Sequence, residues 1–348
     1  MKKIFYIFLS FLLAFLIFVL GFLFFGYRYL KVAYENKILN VSKAQITLSR
    51  GEPLKKFSKK LKDNNVIDNE LFFYLWVRFF SDYSKYQSGP YLFDGYITPK
   101  IIDEMITKGK IYEPIVFKIT IPEGYNFRQI CEKINSLDNT YEFDDCYSLF
   151  KDKKLLEKYN IESPTLEGFL YPLTYSFTEV PTIREIIQKM LDTFFEKLPK
   201  DYIENISKLN LSLKDAVTFA SLIELESADP KEREIISGVI WNRLNAKMPL
   251  GIDASLIYGI KDYKGNISSK DLKDSKNKFN TRMFLGLPPT PIASPSLESL
   301  LAVISPKEHK FYYYVLNYEN KNEHIFSRNL REHNIHVRNL VKSYKKRK

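Results

Sequence analysis

Hydrophobic residues are unevenly distributed along this chain, and the first apolar block is the longest. Residues 4–25 carry no charge and are mostly Phe, Leu and Ile. About 22 residues form a helix of about 33 Å, enough to cross a bilayer core of roughly 30 Å. A cleaved signal peptide would need a shorter block and a small-residue cleavage site, whereas bulky aromatic residues follow Gly21. The pattern predicts a retained transmembrane anchor within residues 1–30.

The next block, residues 42–112, combines short strand-like patterns with longer helix-like ones. It follows a connector at residues 31–41. Thr98 precedes Pro99, which is a favoured N-cap followed by proline at the first helical position. We therefore expect a small α/β module with its helices on one face of a sheet. Strand patterns cover residues 45–48 and 91–93, and helical patterns cover residues 53–62, 69–80 and 98–109.

The remainder, residues 113–348, reads as a mainly helical domain with a β-hairpin. Ser212 and Asp215 form a capping-box pattern at the start of one helix. A Gly- and Pro-rich loop region contains residues 286–295. The whole chain is thus predicted to be α+β. Strand patterns cover residues 116–121, 311–318 and 324–326 with a turn at 319–322, and helical patterns cover residues 126–134, much of 144–209, 212–227, 229–245 and the C-terminal segment.

The charge of the chain limits its possible partners, and its cysteine content limits its possible disulfides. The formal net charge is +11, and the last residues are strongly basic, ending in Lys345-Lys346-Arg347-Lys348. This indicates either a solvated helix end or an anionic partner such as phospholipid head groups or acidic wall polymers. No nucleic-acid-binding motif is present, so no nucleic-acid partner is expected. The two cysteines, Cys131 and Cys146, are too few for a disulfide scaffold, and they could either pair or stay as free buried thiols.

One carboxylate is conspicuous because it ends a nearly all-apolar helical run, residues 216–227. Burial of Glu224 would raise its pKa and keep it protonated near neutral pH, the state that a general acid needs. Glu226 lies two positions later, about 200° around the helix, so the two cannot flank one bond. Periodicity alone does not choose between them, and either could be a solvated helix-end carboxylate.

Other residue patterns exclude several classes of enzyme. Asp253 is a further carboxylate, although a helix N-cap is its commoner role. His333 and His336 have the i, i+3 spacing of metal ligands, yet no cysteine partners them and no His-Glu-x-x-His pattern exists. Neither a Gly-x-Ser-x-Gly elbow nor a Gly-rich phosphate loop is present. We predict no metal and no cofactor.

Several short motifs follow one another along the second half of the chain. In order, they are Leu166-Glu167-Gly168 with Tyr171-Pro172, residues 220–227, Asn242-Arg243-Leu244, residues 253–259, Phe279-Asn280-Thr281, Gly286-Leu287-Pro288-Pro289 and residues 326–334. Taken together, these motifs resemble the YceG-like (MltG-type) endolytic murein transglycosylases. The resemblance extends from the anchor to about residue 339. Ser296 and Thr290 stand where that family more usually has Gly.

The resemblance implies a membrane-anchored enzyme with a LysM-like module at residues 42–112 and a catalytic domain at residues 113–348. It implies an inner-membrane location with the N-terminus cytoplasmic and the catalytic domain periplasmic. The expected partners are peptidoglycan glycan strands, the lipid bilayer and cell-wall synthesis enzymes. The implied site residues are the catalytic Glu224 and the substrate-binding Glu226, Asp253, Tyr258, Asn280, Thr281, Pro288, Pro289 and Ser294.

The implied chemistry uses one acid. Glu224 protonates the glycosidic oxygen between N-acetylmuramic acid (MurNAc) and N-acetylglucosamine (GlcNAc), and then takes a proton from the sugar's 6-hydroxyl as that oxygen closes on C1. The product is a 1,6-anhydro sugar, and no water is consumed. Two other functions stay open: a hydrolytic muramidase with Asp253 as the second carboxylate, and a non-catalytic, membrane-anchored wall-binding protein.

Overall fold

A computed structural model describes residues 2–138, 140–227, 229–320 and 322–346. The chain divides into two compact units, Met1–Pro114 and Ile115–Lys348. Lys321 of the predicted hairpin turn, and Arg347 and Lys348 of the basic end, lie outside the described residues. Each unit has its own hydrophobic core.

The first unit begins with helix α1 (Lys2–Arg28), which continues into a π-helical stretch, Tyr29–Tyr34. One segment, Tyr6–Tyr34, is long and apolar enough to cross a membrane, as judged by its length and composition. Its large apolar side chains are mostly exposed rather than packed in a protein core. This agrees with the predicted anchor.

The remainder of the first unit has the element order strand, helix, helix, strand, helix. Strand β1 (Leu39–Leu48) pairs antiparallel with β2 (Gly89–Ile97), with Leu48 opposite Gly89. The N-cap side chain of Thr98 accepts a hydrogen bond from Ile101 N, as its sequence position predicts. Phe57, from the helix that follows β1, is buried in the core of this unit. The elements are β1 (Leu39–Leu48), α2 (Leu54–Asp63), α3 (Glu70–Phe80), β2 (Gly89–Ile97) and α4 (Pro99–Thr107).

The second unit is mainly helical and is built around one buried helix. Residues 216–223 of that helix, α10, are all buried. The unit contains β3 (Phe117–Thr120), α5 (Phe127–Asn135), α6 (Phe143–Ser148), α7 (Lys153–Lys158), β4 (Thr174–Phe177), α8 (Ile183–Lys197), α9 (Tyr202–Lys208), α10 (Leu213–Glu226), α11 (Arg233–Asn245), α12 (Asp253–Tyr258), α13 (Ser269–Leu272), α14 (Leu297–Ile304), β5 (Tyr313–Leu316), β6 (His324–Ser327) and α15 (Leu330–Lys346).

Two features of this unit differ from the sequence-based expectation. Strand β4 lies in a stretch predicted to be mainly helical, and it pairs antiparallel with β3. Helix α14 follows the Gly- and Pro-rich loop, where no helix was predicted. Both depend on partners distant in sequence, which a local pattern does not reveal. Strands β5 and β6 form the predicted hairpin.

A disulfide joins α5 to α6. Cys131 and Cys146 are bonded, with their Cα atoms 5.5 Å apart, and both are fully buried. The alternative of two free thiols is therefore wrong for this structure. The bond fixes the helix that directly follows the turn at residues 122–126, and this turn forms part of the site described next.

Candidate active site

Glu224 lies in the last turn of α10, where the buried helix reaches the surface. Ser212 starts this helix through the predicted capping box with Asp215. The side chain of Glu224 is only 5% exposed. A carboxylate at this depth must find polar partners within the protein, because burying an unpaired charge is costly.

Four hydrogen bonds are donated to the Glu224 carboxylate. Arg233 Nη2 donates to Oε1 at 3.0 Å. Oε2 accepts from the backbone N and the Oγ of Ser296, at 2.9 Å and 2.5 Å, and from Ser299 Oγ at 2.7 Å. Donors of this kind fix the orientation of a carboxylate. The sequence showed only that Glu224 ends an apolar helical run, and the structure surrounds it with polar donors.

A second carboxylate shares the same arginine. Arg233 begins α11, is almost completely buried, and its Nη2 also lies 3.4 Å from Glu123 Oε2. The Glu123 side chain is 53% exposed, so it lies on the open side of the cluster. Partial burial raises the pKa of Glu123, and the negative charge of Glu224 raises it further, against the lowering effect of Arg233.

The turn that carries Glu123 is fixed by backbone hydrogen bonds. Gly124 N donates to Ser294 O at 2.9 Å, and Ser294 N donates to Tyr125 O at 2.8 Å. Gly124 has a φ of +75°, and a Cβ there would lie 3.2 Å from Leu225 Cδ2. A glycine is therefore favoured at this position. Ser294 was predicted to bind substrate, and its side chain is buried while its backbone holds this turn.

Glu226 belongs to a different cluster, as its position on the helix predicts. Tyr314 Oη donates to Glu226 Oε2 at 2.9 Å. Burial raises the pKa of Glu226, the Tyr314 hydrogen bond lowers it, and the charge of Asp253 raises it. Asp253 itself is exposed and forms an ion pair with Arg282. It is the first residue of α12, and the N-cap position belongs to Ile252.

Two of the predicted substrate-binding residues hold loops together. Asn280 is fully buried, and its Nδ2 donates to three backbone carbonyls of residues 271–274. Thr281 is also buried, and its Oγ1 accepts from Ile252 N at 3.0 Å. Both side chains are thus hydrogen-bonded within the loops, and direct contact of either with substrate stays a prediction. Of the two prolines, Pro288 is buried and Pro289 is exposed.

Tyr258 lines the large cavity of this unit, which has a volume of about 990 Å³. Its hydroxyl donates to Glu167 Oε2 at 2.7 Å, while Phe127 N donates to Glu167 Oε1 at 2.9 Å. Burial raises the pKa of Glu167 to about 7. Aromatic rings and basic side chains face the same space: Tyr147, Phe150, Tyr263, Phe279, Arg128, Lys151, Lys261, Lys276 and Lys278.

Two loops run along the chain from the lining of the cavity to the Glu224 cluster. Asn126 borders the cavity directly after the turn that carries Glu123. Thr290 borders it in the loop that leads to Ser296. Across the described ranges, no group of three His, Cys, Asp or Glu side chains is arranged to hold a metal ion. The absence of a metal or cofactor requirement stays a prediction.

The sequence of this chain matches known proteins over most of its length. Residues 46–339 match the YceG-like family. The chain is 27% identical over 326 residues to an endolytic murein transglycosylase of Streptococcus pneumoniae D39, covering 84% of this chain and 59% of that protein. It is 29% identical over 303 residues to an endolytic murein transglycosylase of Bacillus subtilis 168, covering 83% and 82% respectively.

A solved structure is also similar. The crystal structure of a YceG-like protein from Listeria monocytogenes aligns with a TM-score of 0.58 at 27% identity, covering 84% of this chain and 98% of that one. The present chain spans about six-tenths of the length of its Streptococcus pneumoniae relative, where the match covers 59%.

Proposed function

The chain belongs to the YceG-like family, and from this membership and the geometry around Glu224 we propose that it is an endolytic murein transglycosylase. Its substrate is the peptidoglycan glycan strand, and it cleaves the bond between MurNAc and GlcNAc. The observation that carries the proposal is a nearly buried carboxylate that accepts four hydrogen bonds, beside two loops whose residues Asn126 and Thr290 border a large cavity. The relatives from Streptococcus pneumoniae and Bacillus subtilis are named for this activity. The biological role would be the assembly of wall and the termination of nascent strands.

The reaction needs two proton transfers and no water. The glycosidic oxygen gains a proton as its bond to C1 breaks, and the 6-hydroxyl loses a proton as its oxygen bonds to C1. Because the nucleophile belongs to the sugar, it acts with a high effective molarity. The fixed donors around Glu224 keep its carboxylate in one orientation, which suits a group that must accept a proton at a defined position.

The cavity supplies surfaces that suit a glycan strand. Tyr258 and Phe279 offer aromatic faces against which the apolar face of a sugar ring can pack. Lys151 and Lys276 offer positive charge to the carboxylates of muramic acid and of peptide stems. Substrate contact by Tyr258, Asp253, Glu226 and Pro289 is part of the proposal.

Analysis of the reaction products tests the proposal against both alternatives. The full-length chain in detergent is incubated with purified peptidoglycan, and the released fragments are analysed by mass spectrometry. A transglycosylase leaves 1,6-anhydroMurNAc ends inside cleaved strands. Reducing MurNAc ends would instead identify a hydrolytic muramidase, and uncleaved strands that retain the protein would identify a wall-binding protein.

We further propose that the chain is a single-pass inner-membrane protein with a cytoplasmic N-terminus and a periplasmic catalytic domain. The apolar segment Tyr6–Tyr34 supports the anchor. The disulfide between Cys131 and Cys146 supports a periplasmic location of the catalytic domain, because disulfides persist mainly in oxidising compartments. An alkaline phosphatase fusion at the C-terminus should be active, and a stable but inactive fusion would contradict this topology.

Residues 42–112 are proposed to be a LysM-like module that positions glycan for the catalytic domain at residues 113–348. A cavity of about 560 Å³ in the first unit suits this role, since Arg50, Gln87 and Tyr83 line it with polar and aromatic groups. Removal of residues 42–112 should weaken glycan binding and leave residual cleavage. Complete loss of activity in a folded deletion variant would contradict the proposal that residues 42–112 position glycan and residues 113–348 cleave it. Cell-wall synthesis enzymes are the proposed protein partners.

A further inference from the structure

The last helix of the chain, α15, carries an exposed basic face. Four side chains form this face, here called the basic stripe, and all are exposed: Arg331, Arg338, Lys342 and Lys345. At about 100° per residue, their spacing places them within about 60° of one another around the helix. Across the described ranges, none of the four forms an ion pair. Their positive charges are therefore available to an external anionic partner.

The single acidic residue in the sequence of α15 does not neutralise the basic stripe. Glu332 is that residue, and its carboxylate accepts hydrogen bonds from Asn329 Nδ2 and from the backbone N of Arg328. These contacts belong to the start of the helix. Three more basic residues follow Lys345 in the sequence, so the charge of this end of the chain is of one sign.

The other side of α15 is packed on the β-hairpin. The ring of His333 stacks on that of Tyr313 in β5, with the ring centroids 5.3 Å apart. Val337 and Leu340 are partly buried on the same side. The helix also contacts β6. Packing thus fixes the rotation of α15 about its axis, and the basic stripe faces outward.

Aliphatic side chains accompany the basic stripe on the exposed surface of the helix. Leu330, Ile335 and Val341 are 54%, 43% and 48% exposed. A helical face that combines Lys and Arg with exposed apolar residues is typical of helices at a membrane surface, where the charges meet anionic head groups and the apolar groups enter the boundary with the acyl chains. Contact with a hydrated wall polymer would leave these three side chains in water.

We propose that the exposed face of α15 binds anionic phospholipid head groups, and so makes a second contact with the membrane that holds the anchor. The inference rests on the proposed anchor and is independent of the proposed cleavage reaction. Each basic side chain at an anionic surface favours contact by about fivefold. The four side chains of the basic stripe together favour it by about 10²- to 10³-fold.

The anchor makes a contact of this strength effective. Because α1 and α15 belong to one chain, the lipid is present at a high effective concentration around α15, and the second contact needs little intrinsic affinity. The attraction falls off within a Debye length of about 8 Å at physiological ionic strength, so it acts only when α15 lies against the head groups.

A fluorescence experiment on the full-length chain in lipid nanodiscs tests the proposal. Cys131 and Cys146 are the only cysteines and are bonded to each other, so Val341→Cys introduces a single reactive thiol between Arg338 and Lys345. An environment-sensitive dye on this thiol should emit at shorter wavelength in nanodiscs that contain phosphatidylglycerol than in nanodiscs of phosphatidylcholine alone. Equal emission in both would overturn the proposal, and a chain that does not enter nanodiscs would overturn the anchor with it.

Charge substitutions in the labelled chain locate the contact. Combining Arg338→Gln, Lys342→Gln and Lys345→Gln should lower the ratio of lipid-bound to free helix about 100-fold, and so abolish the shift in emission.

A matched control removes the same charge from exposed lysines elsewhere in the second unit. It combines Lys153→Gln, Lys154→Gln and Lys200→Gln, and it should keep the shift. Equal loss of the shift in both triple variants would overturn the proposal, because net charge rather than the basic stripe would then attract the lipid.

Salt gives a second measurement that decides the question if the triple variant fails a thermal-melt control. Raising the salt concentration from about 0.1 M to about 1 M shortens the Debye length from about 10 Å to about 3 Å. The shift in phosphatidylglycerol nanodiscs should then be largely reversed, and an unchanged shift would overturn binding through the basic stripe.

Purified peptidoglycan, added to the labelled chain in phosphatidylcholine nanodiscs, tests the other anionic partner. A shift with peptidoglycan and none with phosphatidylglycerol would overturn the lipid proposal in favour of a wall polymer. None of these readouts depends on cleavage. Failure here therefore leaves the transglycosylase proposal intact, and an absence of anhydroMurNAc ends leaves the lipid contact intact.

Discussion

Ser296 Oγ donates a 2.5 Å hydrogen bond to Glu224 Oε2. The same hydroxyl caps α14 by accepting from Ser299 N at 3.3 Å. One side chain thus starts a helix and orients the proposed catalytic carboxylate at the end of α10. The resemblance to the YceG-like family implies Gly at this position, and a glycine would have no side chain to donate.

Replacing either serine should reduce activity through the orientation of Glu224. Ser299→Ala and Ser296→Ala each remove one hydroxyl donor to a charged group, a contribution of about 1.5–3 kcal/mol. If that orientation is realised in the transition state, the rate should fall roughly 10- to 100-fold. Ser296→Ala should also lose about 1 kcal/mol of stability as a helix cap.

The measurement pairs the anhydroMurNAc assay with thermal melts of both variants. Ser296→Ala should show the additional loss attributable to the cap. Wild-type rates in both folded variants would mean that these hydroxyls do not orient the reacting carboxylate.

Gly168→Ala should destabilise the second unit. Gly168 has a φ of +82°, and a Cβ there would lie 2.4 Å from Pro291 Cβ and 2.9 Å from Val217 Cγ1. The strained backbone and the overlap should together cost at least about 1–3 kcal/mol. Gly265→Ala is the matched control, since its φ is +91° and nothing lies within 4 Å of the added atom. In urea unfolding, the free energy of unfolding should fall much less for the control than for Gly168→Ala. Equal falls would mean that the close approach to Pro291 does not destabilise the variant.

The stability of the second unit should fall as pH rises through the range in which Glu167 titrates. Burial raises the pKa of Glu167 from 4.5 to about 7. The folded state therefore binds the proton more tightly than the unfolded state, so the contribution is complete below about pH 4.5 and is lost as pH rises through about 7. A shift of this size corresponds to about 3 kcal/mol.

Glu167→Gln should remove this dependence, because an amide does not titrate and can still bond to Tyr258. Urea unfolding at pH 5 and pH 8 measures it. If wild type and Glu167→Gln change equally between the two pH values, another group is responsible.

Local sequence signals predicted most of the elements because several caps are encoded by neighbouring residues. Thr98 and Ser212 cap the helices that follow them, and the long apolar stretch at residues 216–223 is the buried helix. Strand β4 was not predicted, because four residues gain their strand conformation from pairing with β3, more than fifty residues earlier in the chain. For α14, a signal was present in Ser296 followed by the apolar residues 297–304, but the preceding prolines indicated a loop.

The site was only partly predictable for the same reason. A carboxylate ending an apolar helix is visible in the sequence, but only the resemblance to the YceG-like family favoured Glu224 over Glu226. The residues around Glu224 were not predicted, because they come from other elements: Arg233, Ser296 and Ser299 bond to Glu224, and Glu123 bonds to Arg233. The Pro-Glu-Gly turn at residues 122–124 is the one local signal for Glu123: a carboxylate beside a glycine with positive φ, at a turn directly before a capped helix.

The release of anhydroMurNAc ends by Glu224→Gln tests the central claim most directly. The amide keeps the shape of the side chain and is less costly to bury than a carboxylate, so the variant should fold as judged by a thermal melt. Without a group that exchanges protons, the rate should fall by at least roughly 10²–10⁴-fold. Glu226→Gln is the matched control, since Glu226 lies two residues away in the cluster with Tyr314. Its substitution should lower the rate less than Glu224→Gln does. A folded Glu224→Gln protein that releases wild-type amounts of anhydroMurNAc ends would contradict the account.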